Sequence, residues 1–229
     1  MRGLWRRWQM RSANEAQGAR QYASKLLVLG LFVLPVVLTV AVLASPWFRQ
    51  IRATQIERNE RLLQAVESGD IEQVRRVLTG GAVVNARTRA GLTALSVAIL
   101  RGYEDIALLL IEKGASLDAR DRSGDRENQH PGNSPVHYAA IYGRTRVLQA
   151  MLDRGVSPNL RDRNGRTLLM LAVENGRLDT ARMLLRRGAD PNARSALGET
   201  ALELAKRRGD AEMMRLLQQH IANRQTPSP

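Results

Sequence analysis

The feature that most constrains the fold of this chain is a repeat of about 33 residues. Three series of residues carry the repeat independently, and each keeps the same spacing apart from a single longer step. The series are Gly69, Gly102, Gly143, Gly176 and Gly209; Gly81, Gly114, Gly155 and Gly188; and Asn85, Asp118, Asn159 and Asn192. Because the registers agree, we predict five copies of one structural unit, with an insertion in the third.

Each copy has the pattern of two short helices followed by a polar turn. A hydroxyl residue, such as Thr93 or Thr167, opens an apolar run and can accept a backbone N–H as the helix N-cap. In the third copy Pro135 follows Ser134, at the first helical position, where its missing N–H costs nothing. A glycine then ends the first helix, and a second amphipathic run follows. The pattern predicts an all-α fold of stacked helix pairs, each ending in a hairpin-like finger.

These motifs resemble the ankyrin repeat, whose T-P-L-H-x-A signature is similar to Ser134-Pro-Val-His-Tyr-Ala. The resemblance covers residues 57–224 and implies an all-α ankyrin-repeat solenoid of about five helix-turn-helix repeats. The predicted repeats are residues 57–87, 88–120, 121–161 with an inserted finger, 162–194 and 195–224. Residues 225–229 are expected to form a disordered tail.

An apolar segment precedes the repeats. Residues 26–45 carry no charge, and a run of this length is long enough to cross a bilayer as a helix. We therefore expect a basic N-terminal tail over 1–25, a single transmembrane helix over 26–48 that contacts the lipid bilayer, and a linker over 49–56. The alternative is a cleaved signal peptide, although its apolar region is usually shorter.

Charge around this segment gives an expected orientation. Short basic tails stay in the cytoplasm, whereas long domains cross the membrane largely regardless of charge. Only three of the 35 basic residues are lysine, a bias typical of a GC-rich bacterial genome. The expectation is a single-pass protein of the bacterial inner membrane, with its N-terminus cytoplasmic and its repeats periplasmic.

Nothing in the sequence has the pattern of a catalytic, cofactor or metal site. The chain has no cysteine, which excludes disulfides and thiolate metal sites, and it has three histidines. The resemblance assigns His137 a structural role in its repeat. The acidic residues of the inserted finger, over 121–133, do not match a calcium loop, because glycine comes too early and the final glutamate is missing. We expect a non-catalytic module, with no metal and no cofactor.

The net charge of +13 raises nucleic-acid binding as an alternative. Part of the excess lies in residues 1–25, which hold six basic residues and one acid. The other basic residues are scattered among acids, so the pattern favours a protein partner over nucleic acid. A binder of nucleic acid or another anionic surface remains the alternative interpretation.

The resemblance also implies where a partner binds, since ankyrin repeats usually contact partners with finger tips and first helices on a concave surface. The two residues before the first-helix glycine of repeats 2 to 5 are the predicted partner-binding residues. They are Leu100, Arg101, Ile141, Tyr142, Glu174, Asn175, Arg207 and Arg208. Among them Leu100, Ile141 and Tyr142 are expected to form an apolar cluster beside Arg101, with an aromatic and arginine composition typical of interfaces.

Overall fold

The computed structural model describes residues 46–121 and 132–225. Within these ranges the chain forms ten helices, which we number in order. They are α1 Pro46–Ser68, α2 Ile71–Thr79, α3 Ala94–Arg101, α4 Glu104–Glu112, α5 Pro135–Tyr142, α6 Thr145–Asp153, α7 Leu168–Glu174, α8 Leu178–Arg186, α9 Ala201–Arg208 and α10 Ala211–Gln225. The five helix pairs predicted from the repeat period are confirmed.

The helix ends follow the predicted chemistry. The Thr93 side chain accepts from the Ser96 N–H at 3.1 Å, which starts α3. That helix ends at Gly102, whose φ of 85° lies in the left-handed region that favours glycine. The same combination of hydroxyl cap and left-handed glycine bounds α9, between Thr200 and Gly209. These signals are local, which explains why the sequence places the helices well.

The helices stack in two rows. The first helices α3, α5, α7 and α9 pack on one another in order, and each also packs on the second helix of its own repeat. The buried residues form one cluster of Leu, Ile, Val, Ala and Met side chains that runs from Leu62 to Leu217. Neighbouring repeats therefore share a continuous core, as expected of a solenoid.

Fingers connect the repeats, and the described fingers contain no regular strand. Two fingers are closed by single antiparallel bridges, between Arg87 and Thr93 and between Arg161 and Thr167. The segment 122–131, which holds most of the inserted finger, lies outside the described residues.

The start of the described chain differs in one respect from the predicted division. Residues 49–56, expected as a linker, lie within α1, which runs unbroken from Pro46 to Ser68. The chain divides into two units, 1–54 and 55–229, and the second holds all the repeats. Among the described residues no helix is long and apolar enough to cross a membrane. Residues 1–45, which hold the basic tail and the apolar segment 26–45, lie outside the described residues, as do 226–229. Gln225, expected as the first residue of a disordered tail, is instead the last residue of α10.

Candidate functional site

The predicted partner-binding residues occupy the C-terminal ends of the first helices. Three of them, Leu100, Arg101 and Tyr142, line one groove of about 490 Å³. The other lining residues are Glu67, Thr88, Ala90, Leu92 and Val97. We call this the repeat 1–3 groove, because its lining comes from the first helices of three repeats and from the finger between α2 and α3. A volume of this size accommodates one or two bulky side chains.

Tyr142 forms one wall of the repeat 1–3 groove and has a supported position. Its side chain is 40% exposed, more than those of Tyr103 and Tyr138, which are half-buried. The Tyr138 ring lies beside it, with ring centroids 6.4 Å apart and planes tilted by 42°. The Tyr138 hydroxyl in turn donates a hydrogen bond to the Asp121 carboxylate. A fixed, half-exposed aromatic ring is the type of residue that anchors interfaces.

Ile141 does not join Leu100 and Tyr142 in the groove lining, although the three were predicted to cluster. It is half-buried and packs against the core. Its carbonyl accepts a hydrogen bond from Arg177 Nε at 3.0 Å. The position two residues before the glycine therefore contributes to the groove as Leu100 in one repeat and to packing as Ile141 in the next.

Glu174 and Arg207 line a second groove, of about 410 Å³, between the last two repeats. We call it the repeat 4–5 groove; the fingers contribute Arg163 and Leu197 to it. Both predicted residues already have ionic partners there. Arg166 Nη1 lies 2.8 Å from Glu174 Oε2, and Arg207 pairs with Glu199.

Asn175 and Arg208 take part in holding the stack together. The Asn175 side-chain amide donates to the Leu171 carbonyl of its own helix at 2.8 Å. Arg208 Nη1 donates to the Glu174 carbonyl of the preceding repeat at 2.7 Å. The same guanidinium covers Gly176, where an added Cβ would lie 2.8 Å from Arg208 Nη2. The first-helix ends thus divide between groove-lining and stacking residues.

Sequence reasoning missed the contribution of the first repeat and of the fingers. Glu67 lines the repeat 1–3 groove and lies one full repeat before Leu100, so the period itself could have identified it. Leu197 at the tip of the last finger is 85% exposed. No pattern indicated Leu197, because the equivalent positions hold Ala90 and Asn164.

Many arginines of this basic chain are bound within the fingers. Arg87 Nη1 donates to the Gly91 carbonyl at 2.8 Å and to the Arg120 carbonyl of the next finger at 2.9 Å. Arg161 repeats the arrangement with Gly165 and Arg194, at 2.6 Å for both bonds. Arg87, Arg120, Arg161 and Arg194 follow the same spacing as the glycines, including the longer step. This ladder gives part of the positive charge a structural role.

Helix ends use a second set of arginines in the same way. Arg144 Nε donates to the Ile99 carbonyl of the preceding repeat at 3.2 Å, and Arg177, one repeat later, donates to the Ile141 carbonyl at 3.0 Å. These bonds add a side-chain donor at carbonyls of the last helical turn, and the Ile99 carbonyl also accepts from the Gly102 N–H at 3.2 Å. They also place a cation where the helix dipole favours one.

His137 lies in the core and has the surroundings of a structural residue. The residue is 1% exposed, and its Nδ1 lies 2.6 Å from Ser134 Oγ and 3.3 Å from the Ser134 backbone nitrogen. Burial is the main cause that lowers the pKa of His137, and the nearby cation of Arg120 lowers it further. Among the described residues no group of His, Asp and Glu could hold a metal ion.

A stack of helix pairs, with fingers tied by arginines and a side-chain-lined groove along the first helices, defines a helical-repeat protein. Residues 48–121 and 122–195 match the family model described as ankyrin repeats (3 copies). This match covers more than half of the chain, and the protein therefore belongs to the ankyrin-repeat family.

The similarity to known proteins covers only a part of each relative, and the relatives differ from one another. The chain is 33% identical over 136 residues to a putative ankyrin repeat-containing protein of Treponema pallidum, a match that covers 57% of this chain and 43% of that protein. It is 35% identical over 128 residues to the E3 ubiquitin-protein ligase Ufd4 of Drosophila melanogaster, covering 55% of this chain and 4% of that protein. It is 30% identical over 145 residues to the mitochondrial disaggregase of Bos taurus, covering 51% and 21%. The chain thus spans less than half the length of these relatives.

Proposed function

We propose that this chain is a non-catalytic protein-binding module, a scaffold or an inhibitor, whose partner docks on the repeat 1–3 groove. Ankyrin repeats indicate a protein–protein interaction module. The observation that carries the choice of site is that Leu100, Arg101 and Tyr142, from two consecutive repeats, line one open groove. Arg101 and Tyr142 are exposed, so both side chains are accessible to a partner.

We also propose that the segment 26–45 anchors the chain in a membrane. The uncharged segment 26–45 has the length and composition of a transmembrane helix, and the basic residues before it favour a cytoplasmic N-terminus. On this proposal the repeats face the periplasm of a bacterium and meet their partner there. Anchoring would raise the local concentration of the groove for a partner at the same membrane.

Photo-crosslinking tests the site. A photoreactive phenylalanine analogue replaces Tyr142, in the groove, or Arg215, on the exposed surface of α10, and cells are irradiated before the membranes are solubilised. We expect one partner to be captured from position 142 and not from 215. The proposal requires that unlabelled Tyr142→Ala protein, expressed at the same level, fails to compete for that capture. Equal capture from both positions would contradict docking on the repeat 1–3 groove.

A further inference from the structure

The free charges around the two grooves identify the chemistry of the partner. Most arginines on the first-helix and finger side are already bound: Arg87 and Arg161 within fingers, and Arg166 and Arg207 to Glu174 and Glu199. These cations are neutralised or held by the fold, so they contribute little to recognition of a partner.

Three arginines of the same side have no such partner. Arg89, Arg101 and Arg163 are exposed, and within the described part of the chain none of their side chains makes a hydrogen bond or an ion pair. Arg101 lines the repeat 1–3 groove and Arg163 the repeat 4–5 groove. Arg89 lies at a finger tip between Thr88 and Ala90, both of which line the repeat 1–3 groove.

Most acidic residues near the two grooves, unlike these three arginines, already have partners. Glu174 and Glu199 are paired with arginines, and Glu203 accepts hydrogen bonds from its N-cap residue Thr200. Glu67 is the one lining carboxylate of the described grooves that has neither an ion pair nor a hydrogen bond. Among the described residues at the two grooves, the charges without a partner are therefore three arginines and one carboxylate, that of Glu67.

The apolar lining of the repeat 1–3 groove indicates a second property of the partner, an apolar side chain. Leu92, Val97 and Leu100 line the repeat 1–3 groove beside the ring of Tyr142. An apolar side chain inserted there would lose its contact with water and lie within reach of the Arg101 guanidinium. Non-polar surface that leaves water in this way is the main favourable term in most protein–protein association.

From this juxtaposition we infer that the groove recognises an acidic polypeptide segment that carries a bulky apolar anchor. The anchor occupies the repeat 1–3 groove, and carboxylates beside it pair with Arg101 and Arg89, with Arg163 available to a longer segment. The inference rests on the proposed function and specifies the partner. Nucleic acid fits less well, because an apolar lining and Glu67 offer nothing to a phosphate backbone.

The test uses a phage-displayed library of random linear peptides, selected on the full-length chain in a non-ionic detergent. We expect the enriched peptides to combine Phe, Leu or Ile with an excess of Asp and Glu, and to bind more weakly as salt is raised. Arg101→Glu should lower the affinity for the best peptide about tenfold or more. Arg215→Glu, an equal change of charge on α10, should leave that affinity unchanged. Glu67→Gln should raise the affinity for the same peptide, because it removes the carboxylate that repels an acidic segment.

The outcomes separate this inference from the proposed function. Enriched peptides that depend on Tyr142 but have no acidic excess, or that bind Arg101→Glu as tightly as the unmodified chain, would overturn the inference alone. Failure to enrich any peptide that depends on Tyr142 would contradict both. Displacement of the peptides by a single-stranded oligonucleotide at low salt would instead favour nucleic acid and overturn the inference. Thermal unfolding of each variant is the control that tests whether it is folded.

Discussion

Single glycines show how closely the fingers approach one another. Gly165 has a φ of 68°, and a Cβ added there would lie 2.9 Å from the backbone nitrogen of Ala196 in the next finger. That nitrogen donates to the Asn164 carbonyl at 2.9 Å, so the two finger tips are joined by a backbone hydrogen bond. Gly198, at the equivalent position one repeat later, has a φ of 78° and no atom within 4 Å of such a Cβ.

These two glycines give a matched pair of substitutions. Gly198→Ala should cost about 1–2 kcal/mol, the usual penalty for a left-handed alanine. Gly165→Ala should cost about 1 kcal/mol more, because the backbone of the next finger must also move. Urea unfolding of both variants measures the difference. Equal losses would show that the finger tips are not held together.

Protonation of His137 gives a prediction at the same scale. Because burial holds its pKa below the ordinary value of 6.5, the unfolded chain takes up a proton at a higher pH than the folded chain does. The contribution of His137 therefore favours the folded state most above about pH 6.5. Below that pH the free energy of unfolding falls, by at most about 1.4 kcal/mol per pH unit from this residue. Urea midpoints between about pH 7.5 and 5.5 should fall more steeply for the unmodified chain than for His137→Gln. Parallel curves would contradict a buried neutral imidazole.

Helices and fingers stabilise one another mainly through their nearest neighbours. The α5 helix packs on α7 and α6 packs on α8, while Thr145 and Thr180 hydroxyls lie 2.8 Å apart between repeats. Ending the chain after Leu160 removes α7 to α10 and exposes those packed faces. We expect the shortened chain to unfold at much lower temperature or denaturant concentration.

A chain ending at Gln225 is the control for that truncation, since it keeps every described helix. It should match the full-length chain in circular dichroism and in its unfolding midpoint. An unchanged midpoint after removal of α7 to α10 would mean that the repeats are independent units, contrary to the shared core.

The sequence predicted the helices better than it predicted which residues line the grooves, and the reason is physical. Helix starts and ends depend on local residues such as Thr93 and Gly102, which are visible in the period. Groove lining depends on contacts between repeats, which the period does not specify. Leu100 and Ile141 have equivalent places in their repeats, yet only Leu100 lines the groove, and Arg208 was predicted at the interface but bonds to the preceding repeat. The sequence pattern does not indicate the arginine ladder of the fingers either, because its partners are backbone carbonyls of neighbouring fingers.

At the scale of the whole molecule, the proposed anchor predicts a sidedness. Protease added to intact spheroplasts should digest the repeats, because the proposed orientation has the basic tail in the cytoplasm and the repeats exported. A cytoplasmic marker protein should survive the same treatment. Repeats that are protected until the membrane is lysed would reverse the proposed orientation. Recovery of the chain in the soluble fraction after gentle lysis would contradict the anchor itself.

The central claim is that the repeat 1–3 groove is a recognition surface, separate from the core that holds the repeats together. Tyr142 decides between these roles, because it is 40% exposed and lines the groove, yet its ring also lies beside Tyr138. The most direct measurement is paired: partner affinity and thermal midpoint of Tyr142→Ala, with Arg101→Ala measured alongside. If the groove is the recognition surface, Tyr142→Ala should lose about 2 kcal/mol or more of binding free energy. The same substitution should change stability by only about 0.5 kcal/mol. A large fall in the midpoint, or an unchanged affinity for the captured partner, would contradict this claim.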